Sequence, residues 1–345
     1  MIVRDKLEFH AAELLPMPGS GFALVRVPRK ISDTLDPRGR FVAHDSVNTE
    51  IRFYTTAPRL HIFLSAQEIS IPEEAEVNIL FGDFEGKTER IPCGGGIRQI
   101  VIERPPAMDK VKPEKIRRAP GIGFDPNVIR IMPNRSSLIY HAIDSLGYDV
   151  RPPEPEEKPA LKCLCYGSSI TNSRTLGYPF VMAHTLGVDF CNIGMSGACH
   201  MEPQLIDWMA DGEWDFAVLE LGINTLDLYT PEEFSRKAEY SICKFAETGK
   251  PVIVFTMFPY GRSKTLALEN CASENYDKFN CILREICQKK QRKNLILLEG
   301  DSVADELFCL SADFLHPRAY GHFRMGMNLA KQIEKHLPEY FPART

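Results

Sequence analysis

Two stretches of this chain pair residue types that can move a proton. In Asp313-Phe314-Leu315-His316-Pro317 an acid stands three residues before a histidine, close enough to reach the ring's δ nitrogen across one turn. Such a contact fixes the tautomer and stabilises the imidazolium once the ring has taken a proton. In Gly167-Ser168-Ser169-Ile170-Thr171 a small-residue turn leads towards a helix and can present the Ser169 hydroxyl beside a positive helix end. Two more loops carry candidate oxyanion donors. Asn192-Ile193-Gly194-Met195-Ser196-Gly197-Ala198 offers glycine N–H groups that approach a ligand closely, and Gly222-Ile223-Asn224-Thr225 offers the Asn224 amide. Taken singly, each piece has a plainer reading: a turn or N-cap serine, two ordinary loops, a solvated acid beside an incidental histidine.

Five apolar runs read as strands, and these pieces follow four of them. LKCLCY (161–166), VDFCNI (188–193), FAVLEL (216–221), PVIVFTM (251–257) and LILLE (295–299) are continuously apolar, as strands covered on both faces of a parallel sheet are. Helical patterns at 179–186, 202–210, 231–248, 273–290 and 320–336 alternate with them, which predicts a doubly wound α/β/α sandwich. In such a sheet reactive groups collect at the carboxyl ends of strands, where all four pieces fall.

The first part of the chain has another rhythm. Short β-rich segments, FALVRV (22–27), EIRFYT (50–55), RLHIFLSA (59–66), EVNILF (76–81), IRQIVIE (97–103), NVIRIM (127–132) and SLIYHAI (137–143), are punctuated by Gly, Pro and Asp, and in RLHIFL and EVNILF apolar residues recur at every second position. This predicts an antiparallel β-sandwich over residues 1–150. RPPEPEEKPA (151–160) disfavours helix and sheet and suits a short stiff linker, so an α/β domain is expected over 161–345.

With 345 residues the chain exceeds what one core usually spans, and its 44% hydrophobic content is ordinary for a globular protein. A net charge of -5 gives no broad attraction to phosphate backbones or anionic membranes, so neither nucleic acid nor membrane is an expected partner. The N-terminal residues lack an apolar segment behind a basic one, and no run is long enough to cross a bilayer, which predicts a cytoplasmic protein. Ten cysteines, mostly inside apolar segments, read as reduced buried thiols, and Cys163 and Cys165 as core residues rather than metal ligands.

The serine block, the glycine, the asparagine and the DxxH block resemble, in this order, the SGNH (GDSL-like) hydrolase superfamily over roughly residues 160–337. Tyr178-Pro179, opening the next helix, also matches. The resemblance implies Ser169 as nucleophile, His316 as its base and Asp313 as the orienting acid. It implies an oxyanion hole of the Ser169 N–H, the Gly197 N–H and Asn224, with no cofactor or metal. Two positions depart from the family: its Asp before the nucleophile is Ser168 here, and the Asp that often follows the asparagine is Thr225.

Gly300-Asp301-Ser302 spells the family's GDS more literally, but too little chain follows it to hold the other blocks, so Ser302 reads as a loop or helix-cap residue and Asp301 as a pocket-lining one. His200 is close in sequence to Gly197 and suits substrate contact, a supporting role or a plain surface position. Cys199 as a thiol nucleophile, Gly94-Gly95-Gly96 as a phosphate loop, and Lys110, Lys112, Lys115, Arg117 and Arg118 as a site for an acidic sugar are weaker readings than core, turn and solvated loop.

A β-sandwich followed by an SGNH domain resembles two-domain carbohydrate acetylesterases. The expected activity is therefore hydrolysis of a small acyl ester, acetyl first, on a small molecule or oligosaccharide, through an acyl-enzyme. Alternatives are a generic short-chain acylesterase or thioesterase, a sugar acyltransferase and, in a different class, a non-catalytic carbohydrate-binding protein.

Overall fold

The structure is a computed structural model and describes all residues except 1, 69–73, 117, 118, 120, 174, 175, 264–272, 291 and 343–345. The strands of the first region are β1 (Ile2–Arg4), β2 (Leu7–His10), β3 (Glu13–Pro16), β4 (Phe22–Val25), β5 (Glu50–Tyr54), β6 (Arg59–Gln67), β7 (Glu74–Phe81), β8 (Phe84–Pro92), β9 (Arg98–Glu103), β10 (Val128–Pro133) and β11 (Ser137–Asp144). They form two antiparallel sheets, ordered β1-β2-β5-β10-β7-β8 and β3-β4-β11-β6-β9. Leu60, Ile62 and Leu64 of β6 meet Val77, Ile79 and Phe81 of β7 in one core, so the alternating polarity of these strands does mark a sandwich.

β1, β2, β3 and β8 fall outside the predicted segments and lack that pattern. β8 is largely charged and exposed, and backbone pairing with β7 along nearly its whole length makes it a strand. β2 is buried at all four residues, Glu8 and His10 included, because the α/β region covers it: the His10 Nε2–H donates to the Phe190 carbonyl at 2.8 Å. The short helices α1 (Arg29–Ser32), α2 (Pro37–Ala43) and α3 (Pro113–Ile116) lie between strands. They are too brief for a helical period to be legible. Asp36 caps α2 by accepting from the Gly39 N–H at 2.8 Å.

Residues 151–160 are more structured than a proline-rich linker promises. Arg151 bridges to Tyr54 as an isolated β-partner, and Pro155–Glu157 form a 3₁₀ turn. The Arg151 guanidinium makes a bidentate pair with Glu157 at 2.8 and 2.7 Å and lies 4.0 Å from the centre of the Tyr54 ring, which ties the segment down.

The second region alternates β12 (Lys162–Gly167), α4 (Tyr178–Leu186), β13 (Asp189–Gly194), α5 (Pro203–Ala210), β14 (Phe216–Glu220), α6 (Pro231–Ala246), β15 (Val252–Phe255), α7 (Glu274–Lys290), β16 (Leu295–Leu298) and α8 (Ala319–His336). Its sheet is parallel throughout, in the order β13-β12-β14-β15-β16. Alternate residues feed two cores: Leu164, Tyr166, Ala217 and Leu219 face α5, α6 and α7, while Cys163, Cys165 and Val218 face α4 and α8. That double coverage is why these strands read as unbroken apolar runs, and it makes the region the expected three-layer α/β/α sandwich.

Buried polar groups join the regions along β13. Arg52, fully buried, grips Asp189 with two 2.7 Å hydrogen bonds, and Arg26 Nη1 donates to the carbonyls of Asn192 and Gly194 at 2.9 and 2.8 Å. The loop that follows β13 is thereby held from the sandwich side. Every described cysteine is free, and Cys163, Cys165, Cys199 and Cys309 are buried. Cys281 is exposed on α7, contrary to the expectation of uniformly buried thiols, and Cys271, Arg117 and Arg118 lie outside the described residues. No described helix is long and apolar enough to cross a membrane.

Candidate active site

The loops after β12, β13 and β14 and the segment before α8 converge at one end of the parallel sheet. The Ser169 hydroxyl lies 2.8 Å from His316 Nε2, and His316 Nδ1 lies 2.7 Å from Asp313 Oδ2. A carboxylate only accepts, so the ring carries its proton on Nδ1 and leaves the Nε2 lone pair to accept from Ser169. Asp313 also shapes its own loop. Its Oδ1 accepts from the Ser311 hydroxyl at 2.7 Å and from the N–H groups of Leu315 and His316 at 2.9 Å. Partial burial alone would raise its pKa, but these hydrogen bonds together with the His316 ring outweigh it and hold the carboxyl well below the usual range.

The turn bearing Ser169 departs from the expected geometry. No helix starts beside it: α4 begins only at Tyr178, and one hydrogen bond, Asn172 N–H to the Ser168 carbonyl at 2.8 Å, closes the turn. The expected help of a positive helix end is thus missing.

Gly197 has φ +68, in the left-handed region, and a Cβ there would stand 3.4 Å from Arg38 Nε. The backbone angle favours glycine, whereas a Cβ at that distance would make only ordinary contact. Asn224 Oδ1 accepts from the Cys199 N–H at 3.2 Å, which fixes the amide so that Nδ2 is its outward donor. The N–H groups of Ser169 and Gly197 and the Asn224 Nδ2 have no acceptor among the described residues. An oxyanion hole needs such unpaired donors.

A cavity of about 440 Å³ is lined by Ile170, Leu315 and Pro317, chain neighbours of Ser169 and His316, together with Phe258, Tyr276 and Asp301. Asp301 thus lines a pocket, while Ser302 closes a 3₁₀ turn by donating to the Glu299 carbonyl at 2.7 Å, away from any base. Cys199 is buried with its thiol on the Glu220 carbonyl, and burial pushes its pKa well up, which removes it as a nucleophile.

Three residues that bear on the site gave little signal in sequence. Arg38, from α2 of the sandwich region, donates through Nε to the Ser196 carbonyl at 3.1 Å and so pins the glycine loop. Asp36 accepts from His200 Nδ1 at 2.7 Å, placing His200 in a supporting position. Asp36, His200 and Glu202 bring one ligand-type atom each within 4.8 Å of one another, all three partly exposed. Glu220 accepts from the Ser168 N–H in the turn bearing Ser169; a lone acid ending the apolar run FAVLE was its one visible trace.

A family model described as GDSL-like lipase/acylhydrolase matches residues 160–334. The chain belongs to the GDSL-like lipase/acylhydrolase family. It is therefore a carboxylic ester hydrolase by family. No curated protein sequence matches it. Among solved structures it is similar to a salicylyl-acyltransferase, SsfX3, from a tetracycline biosynthetic pathway, at 16% identity and TM-score 0.77, covering 96% of this chain and 95% of that one. A Bacteroides ovatus protein assigned to the GDSL-like lipases shares 18% identity at TM-score 0.67, covering 96% and 98%. An acetyl xylan esterase, Est2A, from the rumen bacterium Butyrivibrio proteoclasticus shares 11% identity at TM-score 0.58, covering 99% and 97%. At these identities the likeness establishes the fold, and it extends over the sandwich as well as the GDSL-like region.

Proposed function

We propose that this GDSL-like hydrolase cleaves a small acyl ester, acetyl first, from a carbohydrate by two-step acyl transfer. The observation that carries the reading is the continuous line Asp313–His316–Ser169, with contacts of 2.7 and 2.8 Å. Ser169 Oγ attacks the ester carbonyl while His316 Nε2 takes its proton, and the negative charge on the carbonyl oxygen falls to the N–H groups of Ser169 and Gly197 and to Asn224. His316 then protonates the departing alcohol. Water enters, gives its proton to His316, and releases the acid from Ser169. The choice of an acetyl group on a carbohydrate rests on the antiparallel sandwich that precedes the GDSL-like region. An acetyl xylan esterase sharing the whole two-region arrangement agrees with that choice.

A second reading rests on the acyltransferase that matches across 96% of the chain: an acceptor hydroxyl would then replace water in the second step. The test is acetate release from p-nitrophenyl acetate and a panel of acetylated sugars by wild type, Ser169→Ala and Ser302→Ala. The proposal expects turnover to vanish in Ser169→Ala alone. Undiminished turnover in that variant overturns it, and acetyl transfer to an added acceptor sugar in preference to water selects the second reading.

A further inference from the structure

We propose that Glu220 is a positioning residue for the nucleophile turn, supplying from the neighbouring strand the carboxylate that the family's pattern places directly before the serine. The inference rests on Ser169 being the nucleophile. Position 168 is a serine here, buried completely. Glu220 ends β14, next to β12, with only 3% of its surface exposed. Its Oε2 accepts three hydrogen bonds from the turn: Ser168 N–H at 2.7 Å, Ser168 Oγ–H at 2.8 Å and Thr171 Oγ1–H at 3.0 Å.

The network wraps the nucleophile without occupying it. With its proton given to Glu220, Ser168 Oγ accepts from the Ile170 N–H at 3.2 Å, so the backbone on both sides of Ser169 is fastened and the Ser169 N–H stays unpaired. Thr171, its own proton likewise committed, accepts from the Tyr178 hydroxyl at 2.7 Å, which carries the restraint to the start of α4. The fit leaves no slack: a Cβ at Gly167 would lie 2.2 Å from Thr171 Oγ1 and 2.5 Å from Glu220 Oε2.

The surroundings set the charge state of this carboxyl. Burial is the dominant influence and pushes its pKa up to about 7 against the three hydrogen bonds. The titratable groups facing it are Tyr178 from α4 and Cys199 from the glycine loop, both pushed well up by burial and neutral, and no cation contributes. As a carboxylate, Glu220 holds all three donors with charge-assisted bonds; protonated, it holds them weakly. The turn therefore slackens as pH falls through neutrality.

The experiment is the pH dependence of kcat and KM on p-nitrophenyl acetate for wild type, Glu220→Gln and Ser169→Ala. The amide keeps the shape and an acceptor oxygen without the charge. Glu220→Gln is expected to lower kcat about tenfold at pH 8 with KM unchanged. Below neutrality the wild-type rate should fall more steeply than one proton allows, and Glu220→Gln should return that limb to a single-proton slope. If Ser169→Ala is inactive while Glu220→Gln matches wild type in kcat and slope, the positioning role is wrong and the nucleophile stands; an active Ser169→Ala removes the premise instead. Should Glu220→Gln fail to fold, Thr171→Val takes its place. Removing one donor raises the carboxyl's pKa further, so kcat should fall and the acidic limb should move to higher pH; an unmoved limb overturns the proposal.

Discussion

The segment before α8 and the turn after β12 face each other across one hydrogen bond, yet each is built in the opposite way. Asp313 and His316 are about half exposed, with side-chain exposures of 51% and 42%, and among the described residues every hydrogen bond to the Asp313 carboxylate comes from residues 311–316. The turn bearing Ser169 is held by the buried carboxyl of Glu220, 52 positions from Ser168 in sequence. In the first region local spacing dictates geometry, and water is at hand to replace a lost partner. In the second, burial amplifies each interaction, and nothing replaces what is removed.

That contrast orders the expected effects of substitution. His316→Ala should cost about four orders of magnitude in kcat/KM on p-nitrophenyl acetate, since no other base contacts Ser169. Gly167→Ala should lower kcat by roughly a hundredfold and destabilise the fold by about 1–3 kcal/mol through overpacking, read as a lower Tm. Asp313→Asn should cost only about tenfold, because solvent reaches both partners; a loss as large as that of His316→Ala would show that the exposed loop is as intolerant as the buried turn. Arg38→Ala, which frees the Ser196 carbonyl from the sandwich side, should reduce kcat about threefold through a looser Gly197.

The two carboxyls should also give stability opposite pH slopes. Asp313 is held below its ordinary range in the folded state, so its contribution is present above the unfolded pKa near 3.8 and is lost as the pH falls further. Glu220 is raised from 4.5 to about 7, so its contribution is complete below pH 4.5 and is lost as the pH rises through about 7. Thermal melts of wild type and Glu220→Gln between pH 5 and 8 should converge or cross with pH, the variant being the flatter; parallel curves would mean that Glu220 does not titrate there.

The same contrast explains how much of the molecule was legible in the sequence. Continuous apolar runs and alternating ones report on two-sided and one-sided burial, and they marked both regions; β8 stayed hidden because its partner, not its side chains, makes it a strand. The DxxH spacing was readable since its bonds are local. Asp36, Arg38 and Glu220 act across 164, 158 and 52 positions of chain in the contacts His200–Asp36, Arg38–Ser196 and Ser168–Glu220, and no local spacing encodes such meetings. The serine turn was misjudged in one respect: small residues before Tyr178-Pro179 suggested a helix end at Ser169, whereas a buried acid performs the fastening there.

The central claim is that Ser169 carries the acyl group. Rapid acid quench during turnover of p-nitrophenyl acetate, followed by peptide mass spectrometry, tests it directly. One acetyl group on the peptide containing Ser169, absent in Ser169→Ala, is the predicted result. An acetyl group on another residue whose substitution stops turnover, with Ser169 unlabelled, would contradict it.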